Sequence, residues 1–167
     1  MSLTGCTTTT TDAHFSRVQL YESVHALADD SVVVAVVHVV SQESANETGE
    51  DKTAEFTLSA VVIDEVVKSD GPAAGPEIIV RQDGGTEQAP PAELVEVGDT
   101  HLLYLTASEL EGDVASQYYV TGANTGIYAA SQDTAGCGTS QVFEQVVAET
   151  GQDLPAQISP EEATAPS

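Results

Sequence analysis

The chain has 167 residues, and its 27 acidic residues outweigh 4 Lys and Arg residues, so its formal net charge is −23 at pH 7. A surface of this sign repels phosphate backbones, because binding to them needs cations that displace counterions, and the composition predicts no nucleic-acid partner. The 2 Cys residues show no zinc-site spacing, and no apolar run approaches the roughly 20 residues of a membrane-spanning helix. We interpret the charge as keeping the protein soluble and monomeric, in preference to a saline habitat or cation binding.

The start of the chain resembles a lipidation motif that is followed by a polar tether. Leu3-Thr4-Gly5-Cys6 resembles the bacterial lipobox, and the run Thr7–Thr11 is typical of a polar linker between a lipid and a domain. We therefore expect lipidation of Cys6, a position on the outer face of the cytoplasmic membrane, and membrane contact only through the lipid anchor. Basic and apolar segments precede this motif in lipoprotein precursors. Either the chain is a piece of such a precursor or the motif is not used.

The next segment predicts a short helix followed by a buried strand. Leu20, Val24 and Leu27 recur on one helical face between residues 17 and 30. Residues 31–41, SVVVAVVHVVS, are nearly all apolar and β-branched, which is typical of a central strand buried on both faces.

A long strand is predicted from residue 54 to residue 69, with a well-defined inward face. Phe56, Leu58, Ala60 and Val62 alternate there with Thr57, Ser59, Val61 and Ile63. Strands of this length are usually bent or coiled, as in small barrels. Further strands are predicted over residues 77–82, 101–106, 117–121 and 126–130.

The C-terminal part predicts a helix and then a tail. One helical stripe lies within residues 139–150, before Gly151, and is formed by Val142, Phe143, Val146 and Val147. Residues 152–167 are Pro-rich and acidic and lack periodicity, so we expect a disordered acidic tail. The expected organisation is a tether over 1–16, a single β-barrel domain over 17–151, and this tail.

Several strings within Leu20–Ala130 carry a resemblance: SVVVAVVHVV, VIDEVVKSDG, IIVRQDGG, VGDTHLLYL and YYVTGANTGIY. They resemble a family of secreted or lipid-anchored proteins of Gram-positive bacteria, whose body looks like the barrel of tissue inhibitors of metalloproteinases and netrin-type modules. The strand-rich order, the long curved strand and the glycines by themselves favour a mainly β fold, a small OB-like Greek-key barrel with a short helix near each end. The resemblance implies the same fold and an extracellular address. Inhibition does not carry over, because those inhibitors chelate the protease zinc with a free amino-terminal Cys. A lipidated Cys6 would have no free amine, and the partner cysteines are missing.

The sequence offers few candidates for chemistry. Cys137 lies just before the predicted C-terminal helix, where a thiol can be activated as a nucleophile. A buried free thiol, or a disulfide to Cys6, is the preferred interpretation. His38 and His101 fall in predicted strands whose side chains would form a ligand site if the strands faced each other. We prefer two ordinary strand histidines, because a metal site needs three or four ligands in the right geometry.

Arg81, in the string RQDGG, is one of few cations among many acids. An ion pair with a local carboxylate is the preferred interpretation, since isolated cations usually find such partners. The alternative is a contact with an anion or a peptide at the rim of the barrel.

These observations predict a cell-surface binding or accessory domain that is not an enzyme and needs no cofactor or metal. Its partner would be an envelope protein, a peptide or a glycan. Two alternatives stay open: a secreted inhibitor-like module, and a hydrolase-type enzyme that uses Cys137 with a strand histidine.

Overall fold

The computed structural model describes residues 19–48, 53–70, 76–85, 89–90, 93–131 and 141–166. Within these ranges the chain forms one α-helix, eight strands and two 3-10 turns. The helix is α1 (Val24–Asp29), and the strands are β1 (Val33–Thr48), β2 (Thr53–Ser69), β3 (Glu77–Asp83), β4 (Thr100–Ala107), β5 (Gln117–Val120), β6 (Ile127–Ala130), β7 (Phe143–Gln145) and β8 (Gln157–Ile158). No helix in the described ranges is long and apolar enough to cross a membrane.

Five strands close into a ring. β1 runs antiparallel to both β2 and β4, β3 runs antiparallel to β2, and β5 runs antiparallel to β4. A parallel pairing between β3 and β5, with Val80 opposite Tyr118, closes the circle. The mainly β fold and the small Greek-key barrel of the OB type are therefore confirmed.

β1 contributes to two hydrophobic cores because its two faces are both apolar. The barrel interior receives alternate side chains, Val33, Ala35, Val37 and Val39. Val34 and Val36 point to the other side and join a second core outside the ring. The prediction of a strand buried on both faces is confirmed. The run of valines explains it, because β-branched side chains lie on both faces of the strand.

The second core is covered by an extension of the sheet. The edge of β4 that faces away from β1 pairs with β5 near Leu105 and with β6 near Leu103, and from β6 the sheet continues into β7 and β8. This extension and α1 bury the outer face of β1 and β4. The largest side chains enclosed there are Leu27, Leu102, Tyr104, Tyr128, Phe143 and Ile158.

Two predictions for the C-terminal part are wrong. Residues 141–150 form the short strand β7 and irregular structure in place of a helix, and of the predicted stripe Phe143 is fully buried while Val146 is exposed. The segment 152–166 is not a disordered tail, because β8 pairs with β7 and both Ile158 and Ala163 are buried. A few buried side chains hold this polar segment in place. Because they are isolated, they produce no periodic pattern of apolar residues in the sequence.

Helix α1 is shorter than predicted and is fixed at both ends. It begins after Ser23, whose hydroxyl accepts a hydrogen bond from the Ala26 N–H at 3.1 Å. Near its C-terminal end, Lys68 of β2 donates from Nζ to the carbonyls of Ala28 and Ser31, at 2.6 and 3.0 Å. A cation in this place satisfies carbonyls that have no partner within the helix and complements the helix dipole.

β2 turns its more polar face into the barrel. Its buried side chains are those of Glu55, Thr57, Ser59 and Val61. The Thr57 hydroxyl donates to the Gly84 carbonyl at 2.8 Å, and the Ser59 hydroxyl accepts from Gln42 at 3.0 Å. Because these polar groups are hydrogen-bonded, their burial is tolerated, and Phe56 and Leu58 remain half-buried on the outer face.

Candidate binding site around Arg81

Arg81 lies on the outer face of the barrel, at the middle of three strands. Val80 before it packs into the barrel interior, so the side chain of Arg81 points outward. Its register partners are Leu58 on β2 and Tyr119 on β5. Arg81 therefore occupies the β2–β3–β5 face, which in OB barrels commonly binds ligands together with the neighbouring loops.

The Arg81 side chain is only 2% exposed although it lies on an outer face. Its Cζ atom lies 3.6 Å from the centroid of the Phe56 ring. Its Nη2 atom lies 2.8 Å from Oε1 of Glu47, and Nη1 donates to Oε1 of Gln117 at 3.3 Å. We call this set, Glu47, Phe56, Arg81 and Gln117, the Arg81 cradle. The ion pair expected for Arg81 is thus present.

One nitrogen of the guanidinium group lacks a hydrogen-bond partner within the described part of the chain. Arg81 Nε is buried and has no hydrogen-bond partner among the described residues. An unpaired buried donor is unfavourable, by about 1–3 kcal/mol when the group is neutral and more when it is charged. The cradle therefore holds a cation whose hydrogen-bonding capacity is not fully used.

Burial raises the pKa values of two groups close to Arg81. Burial raises the pKa of the Tyr119 hydroxyl, while the positive charge of Arg81 and a side-chain hydrogen bond with Arg81 partly oppose this. Burial likewise raises the pKa of Asp83, again with Arg81 acting in the opposite direction. Tyr119 therefore stays a neutral hydroxyl beside the guanidinium group.

Glu47 reaches the cradle from the far end of β1. It is opposite Ala54 in the β1–β2 ladder, just as Glu43 is opposite Leu58, so both acids share the outer face with Phe56. The Glu47 side chain is 54% exposed. The ion pair therefore joins a buried guanidinium group to a carboxylate that solvent still reaches.

The two strand histidines do not form one site. β1 and β4 are neighbours, but the residue opposite His38 is Thr100 and the residue opposite His101 is Val37. Adjacent positions along a strand point to opposite faces, so the two rings lie on different sides of the sheet.

Each histidine has its own environment. His38 Nδ1 lies 2.9 and 3.0 Å from the two carboxylate oxygens of Asp64, at the surface. His101 is 4% exposed, and its Nδ1 has no partner among the described residues. Burial lowers the pKa of His101, against a smaller opposite effect of Asp99. Neither arrangement forms a metal site, and the described part of the chain holds no group of three or more His, Cys, Asp or Glu suited to one.

The sequence drew attention to Arg81 but not to its neighbours. Glu47, Phe56 and Gln117 come from three other strands, and their approach depends on strand register. The one sequence pattern that bore on these neighbours was the alternation in β2, which placed Phe56 on one face of the strand. Cys6 and Cys137 lie outside the described residues, so their predicted lipidation, disulfide or free thiol is not placed by the structure.

Comparison with known proteins identified no relative of this chain. No protein-family model matches the chain, and no curated protein is significantly similar to it. The fold therefore defines the class, a small OB-type barrel with a sheet extension.

Proposed function

We propose that this chain is a non-catalytic binding or accessory domain of the cell surface and that its β2–β3–β5 face binds the partner. The observation that carries the proposal is the burial of Arg81 on an outer face with an unused Nε donor. Ligand binding on this face is common among OB barrels, but a fold alone does not give a function. The Arg81 cradle supplies the polar groups through which this face would bind a partner.

The groups of the cradle favour recognition over reaction. Arginine keeps its proton under all physiological conditions and offers donors in a fixed planar fork. Phe56 fixes the plane of that fork by stacking against it. Gln117 offers an amide, and the raised pKa of Tyr119 keeps its hydroxyl neutral. Such a set binds a polar group of a partner without transferring protons.

The cell-surface address rests on the Leu3-Thr4-Gly5-Cys6 motif and the threonine run that follows it. Intact mass spectrometry of the protein from its native source tests it. We expect a diacylglycerol adduct on Cys6. An unmodified Cys6 in that material would remove the anchor from the proposal and leave a freely secreted domain.

Photo-crosslinking tests the binding face. A photoreactive amino acid replaces Glu43, which shares the outer face with Phe56, in one variant. It replaces the exposed Ala148, which follows β7, in the matched control. With envelope material from the native source, we expect a defined product from position 43 and none from position 148. Equal products from both positions, or no product from position 43, would contradict the proposed face.

A further inference from the structure

We propose that Arg81 is a binding site for a carboxylate, that Glu47 occupies this site within the molecule, and that a Glu or Asp side chain of an extended partner peptide takes the place of Glu47. This inference rests on the proposed function, since it names the group that the β2–β3–β5 face recognises.

Among the three nitrogens of the guanidinium group, Nε is the one that has no partner among the described residues. Arginine binds a carboxylate most strongly through two parallel N–H···O bonds from neighbouring nitrogens. Glu47 contacts Nη2 at 2.8 Å, while the adjacent Nε has no partner among the described residues. Gln117 already takes Nη1 on the other side. A carboxylate that engages both Nε and Nη2 would satisfy the donor that Glu47 leaves unpaired.

The site is prepared before a ligand arrives. Phe56 holds one face of the guanidinium plane at 3.6 Å, and Gln117 fixes its rotation. Little side-chain entropy is then lost when a second carboxylate binds, which favours affinity. In the free protein Glu47 supplies the counter-charge to this buried cation, and a ligand carboxylate would supply the same charge in its place.

Glu47 is suited to be displaced. Its carboxylate is 54% exposed, and ion pairs with an exposed partner contribute little net stability. It lies close to the end of β1, which finishes at Thr48. The Glu47 side chain is not part of the barrel core, so its departure leaves that core intact.

The occupant also indicates the class of ligand. Glu47 is a glutamate presented by an extended strand, so an acidic side chain on an extended peptide reproduces both its chemistry and its geometry. The net charge of −23 repels polyanions such as uronic-acid glycans. A single carboxylate on an otherwise neutral peptide avoids most of this repulsion, because charges beyond about 8 Å are screened at physiological salt.

The test uses short peptides and three single variants. The probe is an acetylated and amidated peptide of Thr and Val with one central Glu, and its twin carries Gln at that position. Glu47→Gln removes the internal occupant, and Glu47→Asp keeps the charge but shortens its reach. Glu43→Gln is the matched control, since it removes one charge from the same strand and face. Thermal unfolding confirms that each variant is folded.

We expect Glu47→Gln to bind the Glu peptide about fivefold more tightly than the wild type, because a competitor worth a weak ion pair has been removed. Glu47→Asp should tighten binding in the same direction. Glu43→Gln should tighten binding less than Glu47→Gln, because it removes one charge near the peptide but no occupant of the site. The NMR signal of the Arg81 Nε–H should shift with the Glu peptide and stay in place with its Gln twin. Adding Arg81→Gln to Glu47→Gln should abolish binding.

Other outcomes would overturn the inference. Equal affinities for Glu47→Gln and Glu43→Gln would mean that Glu47 does not compete. A shift of the Nε–H signal with tetragalacturonate but not with the Glu peptide would replace the peptide by a glycan. No shift with any carboxylate, alongside specific crosslinking at position 43, would reject the carboxylate and leave the proposed binding face standing.

Discussion

The Tyr104 hydroxyl donates a hydrogen bond to the Ala163 carbonyl over 2.9 Å, between positions 59 residues apart in the chain. Both residues are fully buried in the core outside the barrel. Tyr104 belongs to β4, so this bond fastens the C-terminal segment to a strand of the closed ring. The acidic C-terminal segment is therefore a structural part of the domain.

Ile158 anchors this segment, and its truncation tests the packing. Ile158 is 2% exposed and lies opposite Phe143 in the β7–β8 pairing. We expect Ile158→Ala to lower the free energy of unfolding by about 2–5 kcal/mol, measured by urea denaturation, because it opens a cavity in the core. The neighbouring exposed Gln157→Ala should change it by no more than about 0.5 kcal/mol. Equal effects of the two substitutions would show that the segment does not pack as described.

Lys68 links β2 to the end of α1. Its replacement should lower the free energy of unfolding more than the loss of its exposed ion pair does. Lys68→Met removes the Nζ donor from the carbonyls of Ala28 and Ser31, and the Ala28 carbonyl then keeps its bond from the Ser31 N–H at 3.1 Å. We expect a drop of about 1–3 kcal/mol in the free energy of unfolding. Asp70→Asn removes only the surface pair at 2.7 Å and should cost less than about 1 kcal/mol. The reverse order in denaturation experiments would contradict the role assigned to Lys68.

His101 should make the domain less stable in mild acid. Burial lowers the pKa of His101 below its ordinary value of 6.5, with Asp99 opposing. The unfolded chain therefore binds the proton more readily, and the stability that the neutral ring contributes is lost as the pH falls from 6.5 through the folded pKa. An NMR titration of the His101 ring measures this pKa directly. A midpoint at or above 6.5 would show that the ring is not buried as described.

Phe56 should contribute to binding through its ring. In the Glu47→Gln background, we expect Phe56→Leu to weaken binding of the Glu peptide by about two- to fivefold, which corresponds to a cation–π contribution of about 0.5–1 kcal/mol. Phe56→Tyr keeps the ring and should bind like its parent. Isothermal titration calorimetry distinguishes the two. Unchanged affinity for Phe56→Leu would mean that stacking does not orient the guanidinium group.

The barrel strands were predictable where burial is strongly patterned. The valines of β1 fill both of its faces, so their run indicates a central strand without knowledge of its neighbours. A helix is predicted over residues 139–150 because the spacing of Phe143 and Val146 fits one, but of these two side chains only Phe143 is buried. A short strand with one buried anchor has no period that sequence inspection can detect.

The candidate site was predictable only at its centre. Arg81 stands out as a cation in an acidic chain, but Glu47 reaches it across strands whose register shifts between Val34 and Ala35, between Val36 and Val37, and between Val39 and Ser41. Each shift moves later side chains relative to the neighbouring strand. Local periodicity does not place such shifts, so the contact between Glu47 and Arg81 emerges only from the folded chain.

The most direct test of the account is the binding of the fluorescently labelled domain to envelopes from its native source, with the wild type compared with Arg81→Gln. We expect saturable binding by the wild type, its retention in Glu43→Gln, and its loss in Arg81→Gln, with all three proteins shown to be folded by circular dichroism. Wild-type binding by a folded Arg81→Gln variant would contradict the claim that this domain works through the face around Arg81.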